Sequence, residues 1–587
     1  MKKLLGRLNK KEWGLIGLSA LLIIIQVGLE LQIPSYMTQI TTALEMKGTS
    51  TSDVLKPGGL MLMLSILSML TSIVVGFIAA KVAAGFAARL RASVFGQVMD
   101  YSNADIKQFS VPSLLTRSTN DITQIQQFVA MGMQVIIKAP ITAIWAISKI
   151  ANKGWQWTTA TGVAVLVLVA MLTVILTLVQ PRFKIVQGLT DRLNAVIREN
   201  LNGIRVVHAY NAEDYQNNKF QTANDNLTKT NLFANRVLAL MNPGMSLISN
   251  GLTLAVYAIG AVLIQSAVMS SKLSLFSNMI VFSSYAMQVI MGFLLLSIIF
   301  VILPRVTVSI SRINEVLDVA PSIHYPSESV TPVTSQAVIE FRDVSFRFAA
   351  TEANVINHLS FTVQPGQTLA IIGSTGSGKT TVLDLLARRY DVTEGEILVD
   401  GVNVKAYPEA ELNRKIGYVP QKAVLFSGTI RSNIDFGQTD EHAAALTDDE
   451  INEALAIAQA SDFVDESIDG LDTPVAQHGD NFSGGQKQRL AIARAVARKS
   501  AILMFDDSFS ALDYATDQKL RHALREKASG TTKVIVAQRI STIMDADQII
   551  VLDEGNVAGI GTHQSLLADN QVYQEIAYSQ LSKEELA

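Results

Sequence analysis

Thr368-Leu369-Ala370-Ile371-Ile372-Gly373-Ser374-Thr375-Gly376-Ser377-Gly378-Lys379-Thr380 is the stretch that decides the fold of this 587-residue chain. An apolar run enters a Gly-x₄-Gly-Lys-Thr pattern directly, and residues 381–388 have the composition of a helix. This strand–loop–helix order is the context that a P-loop requires. Glycines let backbone N–H groups face phosphate oxygens, and the helix N-terminus adds partial positive charge. We therefore predict that residues 373–380 and Thr381 bind ATP phosphates, with Lys379 on the β- and γ-phosphates.

A second apolar run, Ile502-Leu503-Met504-Phe505-Asp506-Asp507, ends in two acids. In NTPases of this design the acid at the strand end holds Mg²⁺, so we expect Asp506 and the Thr380 hydroxyl to be metal ligands. The next residue is usually a Glu that aligns the attacking water. The carboxylate of Asp507 lies about 1.5 Å further from that water, and a misplacement near 1 Å can cost about 10²-fold in rate. The sequence therefore indicates a site that holds ATP better than it hydrolyses it.

Composition excludes several classes of function. The net charge is −3 and no basic block is present, so a nucleic-acid partner has no electrostatic footprint. The chain contains no Cys, which excludes disulfides, thiolate metal sites and a Cys nucleophile.

Long apolar runs fill the first 305 residues or so, and the mean hydropathy of the chain is +0.30. The first run follows Met1-Lys2-Lys3 and has the length of a bilayer span with no clear cleavage site, so we interpret it as an uncleaved span. A single run of this kind can be a buried core helix, but six together favour a membrane domain. The predicted spans lie near residues 13–34, 58–80, 128–149, 157–179, 246–268 and 276–303.

Basic residues set the expected topology. They precede the first span and recur in segments 81–127 and 180–245, which predicts a cytoplasmic N-terminus and two long cytoplasmic segments. The linkers 35–57, 150–156 and 269–275 would then be external. Helical periodicity in the cytoplasmic segments favours helices extended from the membrane and joined by turns near 103–113 and 207–216. The tips of these hairpins either are simply solvated or dock onto the nucleotide-binding part and transmit its motion.

Two further motifs flank the phosphate loop. Phe348, upstream of it, is a candidate for stacking on adenine, and packing in the core is the alternative. Ser483-Gly484-Gly485-Gln486 precedes a predicted helix at 490–498, and this turn at a helix N-terminus forms a second anion-binding geometry.

With these motifs the chain resembles an ATP-binding cassette (ABC) exporter half-transporter. The resemblance implies α-helical membrane spans followed by an α/β P-loop NTPase domain with a helical subdomain, at 1–320 and 338–587, joined by a linker at 321–337. It assigns the Q-loop to Gln421, which joins the Mg²⁺ ligands, and a dimer contact in the D-loop to Asp513. It also implies that each ATP lies between one subunit's Walker motifs and the signature Ser483-Gly484-Gly485-Gln486 of the other, which acts in trans. The cofactors would be ATP and Mg²⁺.

Three positions depart from the family pattern. Asp507 replaces the usual catalytic Glu, Gln538 stands in the place of the switch His, and Gln477 replaces a frequent Glu. With an otherwise intact signature, this combination resembles the degenerate-site subunit of a heterodimeric bacterial multidrug-type exporter. We expect a partner half-transporter with an intact Glu and His, and a location in the cytoplasmic membrane. The alternatives are a slow homodimeric exporter and a membrane regulator that binds ATP without transport.

The sequence gives little information on the cargo. The family resemblance implies hydrophobic or amphipathic compounds, drugs or lipids. Glu30 lies near the end of the first span, and an acid at membrane depth is a functional candidate. A snorkelling role is the alternative for Glu30.

Overall fold

The computed structural model describes residues 6–45, 50–151, 154–328, 337–349, 351–437, 445–582 and 585–586. The chain divides into two compact units. The membrane unit comprises Met1–Met99 and Phe109–Ala320. The nucleotide unit comprises Asp100–Gln108 and Pro321–Ala587, so its first element comes from within the N-terminal half.

The membrane unit is entirely helical in its described part. Its helices are α1 (Lys10–Glu45), α2 (Thr51–Met99), α4 (Val111–Thr116), α5 (Ile122–Ala151), α6 (Trp155–Asn202), α7 (Ile204–Ala209), α8 (Glu213–Ala239), α9 (Met241–Ser266) and α10 (Met269–Asp318), with a π-helical turn (Arg117–Asp121) between α4 and α5. In the described part of the chain, six helical stretches are long and apolar enough to cross a membrane. Each of these stretches overlaps one of the predicted spans, so the predicted multi-pass membrane domain is confirmed.

The core of this unit joins helices that are distant in sequence. Ile23, Trp157 and Phe282 belong to one buried cluster, and the Trp157 indole N–H donates to the Val256 carbonyl at 3.1 Å. Large apolar side chains on the opposite helix faces, such as Leu166, remain exposed, as expected of a bundle whose solvent is lipid.

Two of the predicted external linkers are largely helical. The described chain is helical up to Glu45, through much of the predicted linker 35–57, and α10 already begins at Met269. The hydroxyls of Thr41 and Thr42 donate to carbonyls one turn earlier in the same helix, at 2.9 and 2.8 Å. These polar side chains are thus satisfied within the helix, and the external location of the linkers stays a prediction.

The described part of the nucleotide unit contains three β-sheets. The strands are β1 (Ile339–Phe346), β2 (Ile356–Val363), β3 (Thr368–Gly373), β4 (Glu394–Val399), β5 (Val402–Asn403), β6 (Ile416–Val419), β7 (Gly428–Thr429), β8 (Pro474–Val475), β9 (Ile502–Asp506), β10 (Thr532–Val536), β11 (Gln548–Asp553) and β12 (Asn556–Gly561). An antiparallel sheet has the order β2-β1-β4-β5, and a larger sheet has the order β12-β11-β3-β10-β9-β6. In the larger sheet, all neighbours pair in parallel except β11 and β12.

The helices of this unit are short. They are α3 (Asn103–Lys107), α11 (Lys379–Leu386), α12 (Glu409–Lys415), α13 (Ile430–Ile434), α14 (Asp448–Ile457), α15 (Ser461–Asp465), α16 (Gly484–Ala497), α17 (Tyr514–Lys527), α18 (Ile540–Ile543), α19 (His563–Asp569) and α20 (Gln571–Tyr578), with 3-10 turns at Val404–Ala406, Gly470–Asp472 and Gln477–Gly479. This α/β domain after six apolar helices confirms the predicted fold class.

Helix α3 is attached to the rest of the nucleotide unit by a carboxylate. Asp105 Oδ2 accepts from the backbone N–H and hydroxyl of Ser102, at 3.0 and 2.8 Å. It also accepts from the backbone N–H and hydroxyl of Ser322, at 2.9 and 3.2 Å. Burial alone would raise the pKa of Asp105, but these four donors lower it. Residues 100–108, which include part of the predicted turn of the first helical hairpin, are therefore part of the nucleotide unit. The proposed linker that follows at 321–337 lies in part outside the described residues, at 329–336.

Candidate functional site

The parallel register of the large sheet places three strand ends at one edge. Val536 of β10 pairs with Ile371 of β3 on one side and with Asp506 of β9 on the other. The phosphate loop, the paired acids and Gln538 therefore follow neighbouring strands at their carboxyl ends, where open α/β sheets bind ligands.

The phosphate loop leaves no room for larger side chains at its ends. A Cβ at Gly373 would lie 2.0 Å from the Leu552 carbonyl oxygen, and one at Gly378 would lie 2.5 Å from Ile356 Cδ1. Gly376 and Gly378 have φ of +86° and +97°, which favours glycine. Ser374, Thr375 and Gly376 are exposed between these fixed ends.

Two polar groups of the loop fit a phosphate ligand. Ser377 Oγ is buried and has no hydrogen-bond partner in the described part of the chain. Lys379 Nζ curls back to the carbonyls of Gly373 and Ser374, at 2.9 and 2.7 Å. Burial lowers the pKa of Lys379, and the Asp507 and Asp506 carboxylates oppose that shift. A phosphate would satisfy the serine and supply negative charge to the lysine.

Asp506 and Thr380 are brought together as the sequence predicts. The Thr380 hydroxyl donates to Asp506 Oδ1 at 2.8 Å, and these oxygen donors suit Mg²⁺ completed by phosphate oxygens. The sequence analysis missed Tyr418, whose hydroxyl donates to Asp506 Oδ2 at 3.3 Å. Burial raises the pKa of Asp506 and raises that of Tyr418 to about 12. Tyr418 lies near the end of β6, which pairs with β9. Its position shortly before Gln421 in the sequence was the signal that could have pointed to this site.

Asp507 is held by two side-chain amides. Gln538 Nε2 donates to Asp507 Oδ2 at 2.8 Å, and Gln421 Nε2 donates to the same oxygen at 3.2 Å. Asp507 is buried, with a φ of +47°. The structure thus joins Asp507, Gln538 and Gln421 in one contact. It pairs Gln421 with Asp507 rather than with Asp506, and the role of Gln421 as a metal ligand stays a prediction.

The signature turn lies exposed at the N-terminus of α16. Ser483 and Gln486 form a capping box, in which Ser483 N donates to Gln486 Oε1 at 2.9 Å. Ser483 and Gly484 are both exposed, and a Cβ at Gly485 would lie 3.5 Å from the Ala511 carbonyl oxygen of the D-loop. Asp513 caps α17 by accepting from Thr516 N at 3.0 Å. No described contact joins the signature or Asp513 to the phosphate loop of the same chain.

The aromatic position has a partner that the sequence did not reveal. The Phe348 ring is half-buried and meets Phe346 and Tyr390 edge-on, with centroids 5.0 and 5.3 Å apart. Lys107 of α3 lies over Phe348 and Tyr390, with Nζ 5.0 and 5.4 Å from their centroids. Phe348 remains a candidate for adenine, and the basic end of α3 lies directly beside it.

Each half of the chain matches a known protein family. Residues 16–311 match the family model described as ABC transporter transmembrane region, and residues 356–510 match the ABC transporter model. An uncharacterized ABC transporter ATP-binding protein of Mycobacterium tuberculosis is 38% identical, covering 96% of both chains. An ATP-dependent lipid A-core flippase of Pseudomonas fluorescens is 31% identical, over 84% of this chain and 80% of its own length.

A solved structure gives the same architecture. A bacterial Atm1-family ABC exporter with ATP bound superposes with a TM-score of 0.80, covering 96% of this chain and 98% of its own, at 24% identity. That level of identity supports the fold. The matched family models and the full-length relatives show that this chain belongs to the ABC transporter family, in which ATP hydrolysis drives transport across a membrane.

Proposed function

We propose that this chain is one subunit of an ATP-driven exporter of hydrophobic or amphipathic compounds, whose own Walker motifs form a slowly hydrolysing ATP site. The observation that carries the proposal is the contact of Asp507 Oδ2 with the amides of both Gln538 and Gln421. The phosphate loop with Lys379 is complete. The two positions that would organise the water and the γ-phosphate instead carry Asp507, which is one methylene shorter than Glu, and Gln538, which is a neutral amide.

The contact itself disfavours hydrolysis. A general base must direct a free lone pair at the water it activates. Asp507 Oδ2 instead accepts two amide N–H groups, which leaves Oδ1 as the oxygen for a water, and the shorter side chain holds the carboxylate near the strand end. Gln538 does not titrate near pH 7, unlike the His that it replaces. Binding of ATP through Lys379 and Ser377 would be preserved, and turnover would be slow.

The other site of the dimer would then do most of the hydrolysis. This chain offers the exposed signature turn at Ser483 and Gly484, with the anion-binding geometry of a 14-residue helix behind it. A partner half-transporter with an intact Glu and His would supply the Walker motifs of that second site. ATP retained at the slow site would keep the nucleotide domains associated, because a ligand that binds only the closed state stabilises it.

Motion would pass through the cytoplasmic tips. Lys107 and Asp105 already link α3 to the nucleotide unit. At the second tip, the side chains of Tyr210 and Tyr215 are 80% and 69% exposed. Aromatic side chains with this exposure are typical of contact surfaces, which supports docking of this tip on the partner subunit.

The distribution of basic residues supports a particular orientation of the chain in the membrane. Basic residues near the first span, among them Lys10 and Lys11, support a cytoplasmic N-terminus. The nucleotide domain would face the same side, and the membrane would be the cytoplasmic membrane of a bacterium.

The decisive experiment measures ATP turnover of the chain alone in detergent and then in complex with the half-transporter encoded beside it. We expect turnover near zero alone, recovery in a 1:1 complex, and loss when the partner's catalytic Glu is changed to Gln. Strong turnover of the single chain that is lost in Asp507→Asn would instead show a homodimer with a competent Asp507. A chain with neither a partner nor ligand-stimulated turnover would be a regulator.

A further inference from the structure

Four polar side chains meet inside the membrane unit. Glu30 Oε1 accepts from Gln26 Nε2 of the same helix at 2.9 Å, from Ser68 Oγ of α2 at 3.1 Å and from Lys138 Nζ of α5 at 2.9 Å. Gln26 and Ser68 are buried. The side chains of Glu30 and Lys138 are 29% and 27% exposed. The cluster therefore has a closed inner side and an open side that carries one charge of each sign.

The members of this cluster all lie in helical stretches that are long and apolar enough to cross a membrane. Ionisable groups in such stretches are costly and usually functional, and the ion pair offsets only part of that cost.

The pair has unused hydrogen-bonding capacity. All three donors converge on Oε1, so Oε2 and two of the three Nζ protons have no partner in the described part of the chain. A polar group without a partner is expensive away from water. The open side thus presents an anionic acceptor and a cationic donor next to each other, with a net charge of zero.

We infer that Glu30 and Lys138 form a headgroup site for zwitterionic amphiphiles, molecules that carry phosphate and ammonium on one apolar tail. A purely cationic ligand would be repelled by Lys138, and a purely anionic ligand by Glu30. A zwitterionic head can place its phosphate at the free Nζ protons and its ammonium at Oε2. This inference narrows the cargo class of the proposed exporter and rests on that function.

The test compares three amphiphiles with one tail: dodecylphosphocholine, dodecyltrimethylammonium and dodecyl phosphate. Each is titrated into the purified full-length protein in dodecyl maltoside without nucleotide, and the shift in melting temperature gives an apparent affinity. We expect the wild-type protein to prefer the zwitterion. Lys138→Met should shift the preference to the cation, and Glu30→Gln to the anion, each by about tenfold (about 1.4 kcal/mol).

Lys149→Met is the matched control, because Lys149 is an exposed lysine on the same helix. It should leave the ranking of the three amphiphiles unchanged. A wild-type protein without preference for the zwitterion, or charge variants that keep the wild-type ranking, would reduce the pair to a structural contact. The wild-type ranking decides the question even where a variant fails to fold. Because no nucleotide is present, a negative result leaves the proposed ATP-site asymmetry intact, and a failure of that asymmetry leaves this measurement valid.

Discussion

Lengthening Asp507 to Glu tests the proposed slow site most directly. The extra methylene moves the carboxylate outward by about 1.5 Å, beyond the positions at which Gln538 and Gln421 now hold Oδ2, at 2.8 and 3.2 Å. If a misplacement near 1 Å costs about 10²-fold, Asp507→Glu should raise turnover at this site by about 10²-fold, or about 2.7 kcal/mol of barrier.

The assay must isolate one of the two sites. ATP turnover is measured in the complex whose partner carries Gln in place of its catalytic Glu, so that residual hydrolysis comes from the site of this chain. Asp507→Asn is the matched control, because it keeps the length and removes the charge, and it should lower the small residual rate further. Equal or lower turnover in Asp507→Glu would refute the reasoning that side-chain length limits hydrolysis here.

Four further outcomes follow from the same geometry. In the Asp507→Glu background, Gln538→His should introduce a pH dependence of turnover between about pH 5.5 and 8, because imidazole titrates there; a flat profile in both forms would argue against a switch role. Burial raises the pKa of Asp506, so its ionisation opposes folding, and stability is lost as pH rises through that pKa. Asp506→Asn should therefore raise the melting temperature of the nucleotide-free protein at pH 7 while abolishing Mg²⁺-dependent turnover, and a lower melting temperature would contradict this. Gly373→Ala should abolish binding of a fluorescent ATP analogue, because its Cβ meets the Leu552 carbonyl at 2.0 Å, whereas Gly530→Ala, with nothing within 4 Å, should bind normally in the same titration. Lys107→Ala should speed hydrogen exchange in 103–107, because each lost cation–π contact is worth about 0.5–1 kcal/mol; Lys107→Arg should not, and equal rates in all three proteins would show that the contact is dispensable.

Local patterns predicted much of this molecule. The six apolar runs and the strand–loop–helix order around Lys379 depend on short segments whose periodicity and composition are legible one at a time. The pairing of Thr380 with Asp506 followed from the design of P-loop NTPases, in which both positions hold Mg²⁺.

What the sequence did not reveal depends on contacts between distant segments. Tyr418 reaches Asp506 because β6 lies next to β9, and Lys107 reaches Phe348 across more than two hundred residues of chain. The sequence also did not reveal that the chain stays helical up to Glu45, into the predicted linker 35–57. Such neighbours are set by tertiary packing, which a single sequence does not display.

The four hydrogen bonds of Asp105 have a practical consequence for anyone who dissects this protein. A fragment that begins at Pro321 would contain every nucleotide-binding motif and still lack α3, a piece of its own fold. Ser322 would lose its carboxylate partner, and the rings of Phe348 and Tyr390 would lose the ammonium that covers them. Nucleotide affinities measured on such a fragment would therefore come from a domain in which Phe348, the candidate for adenine stacking, lacks its contact with Lys107. Adding residues 100–108 as a peptide should restore that contact.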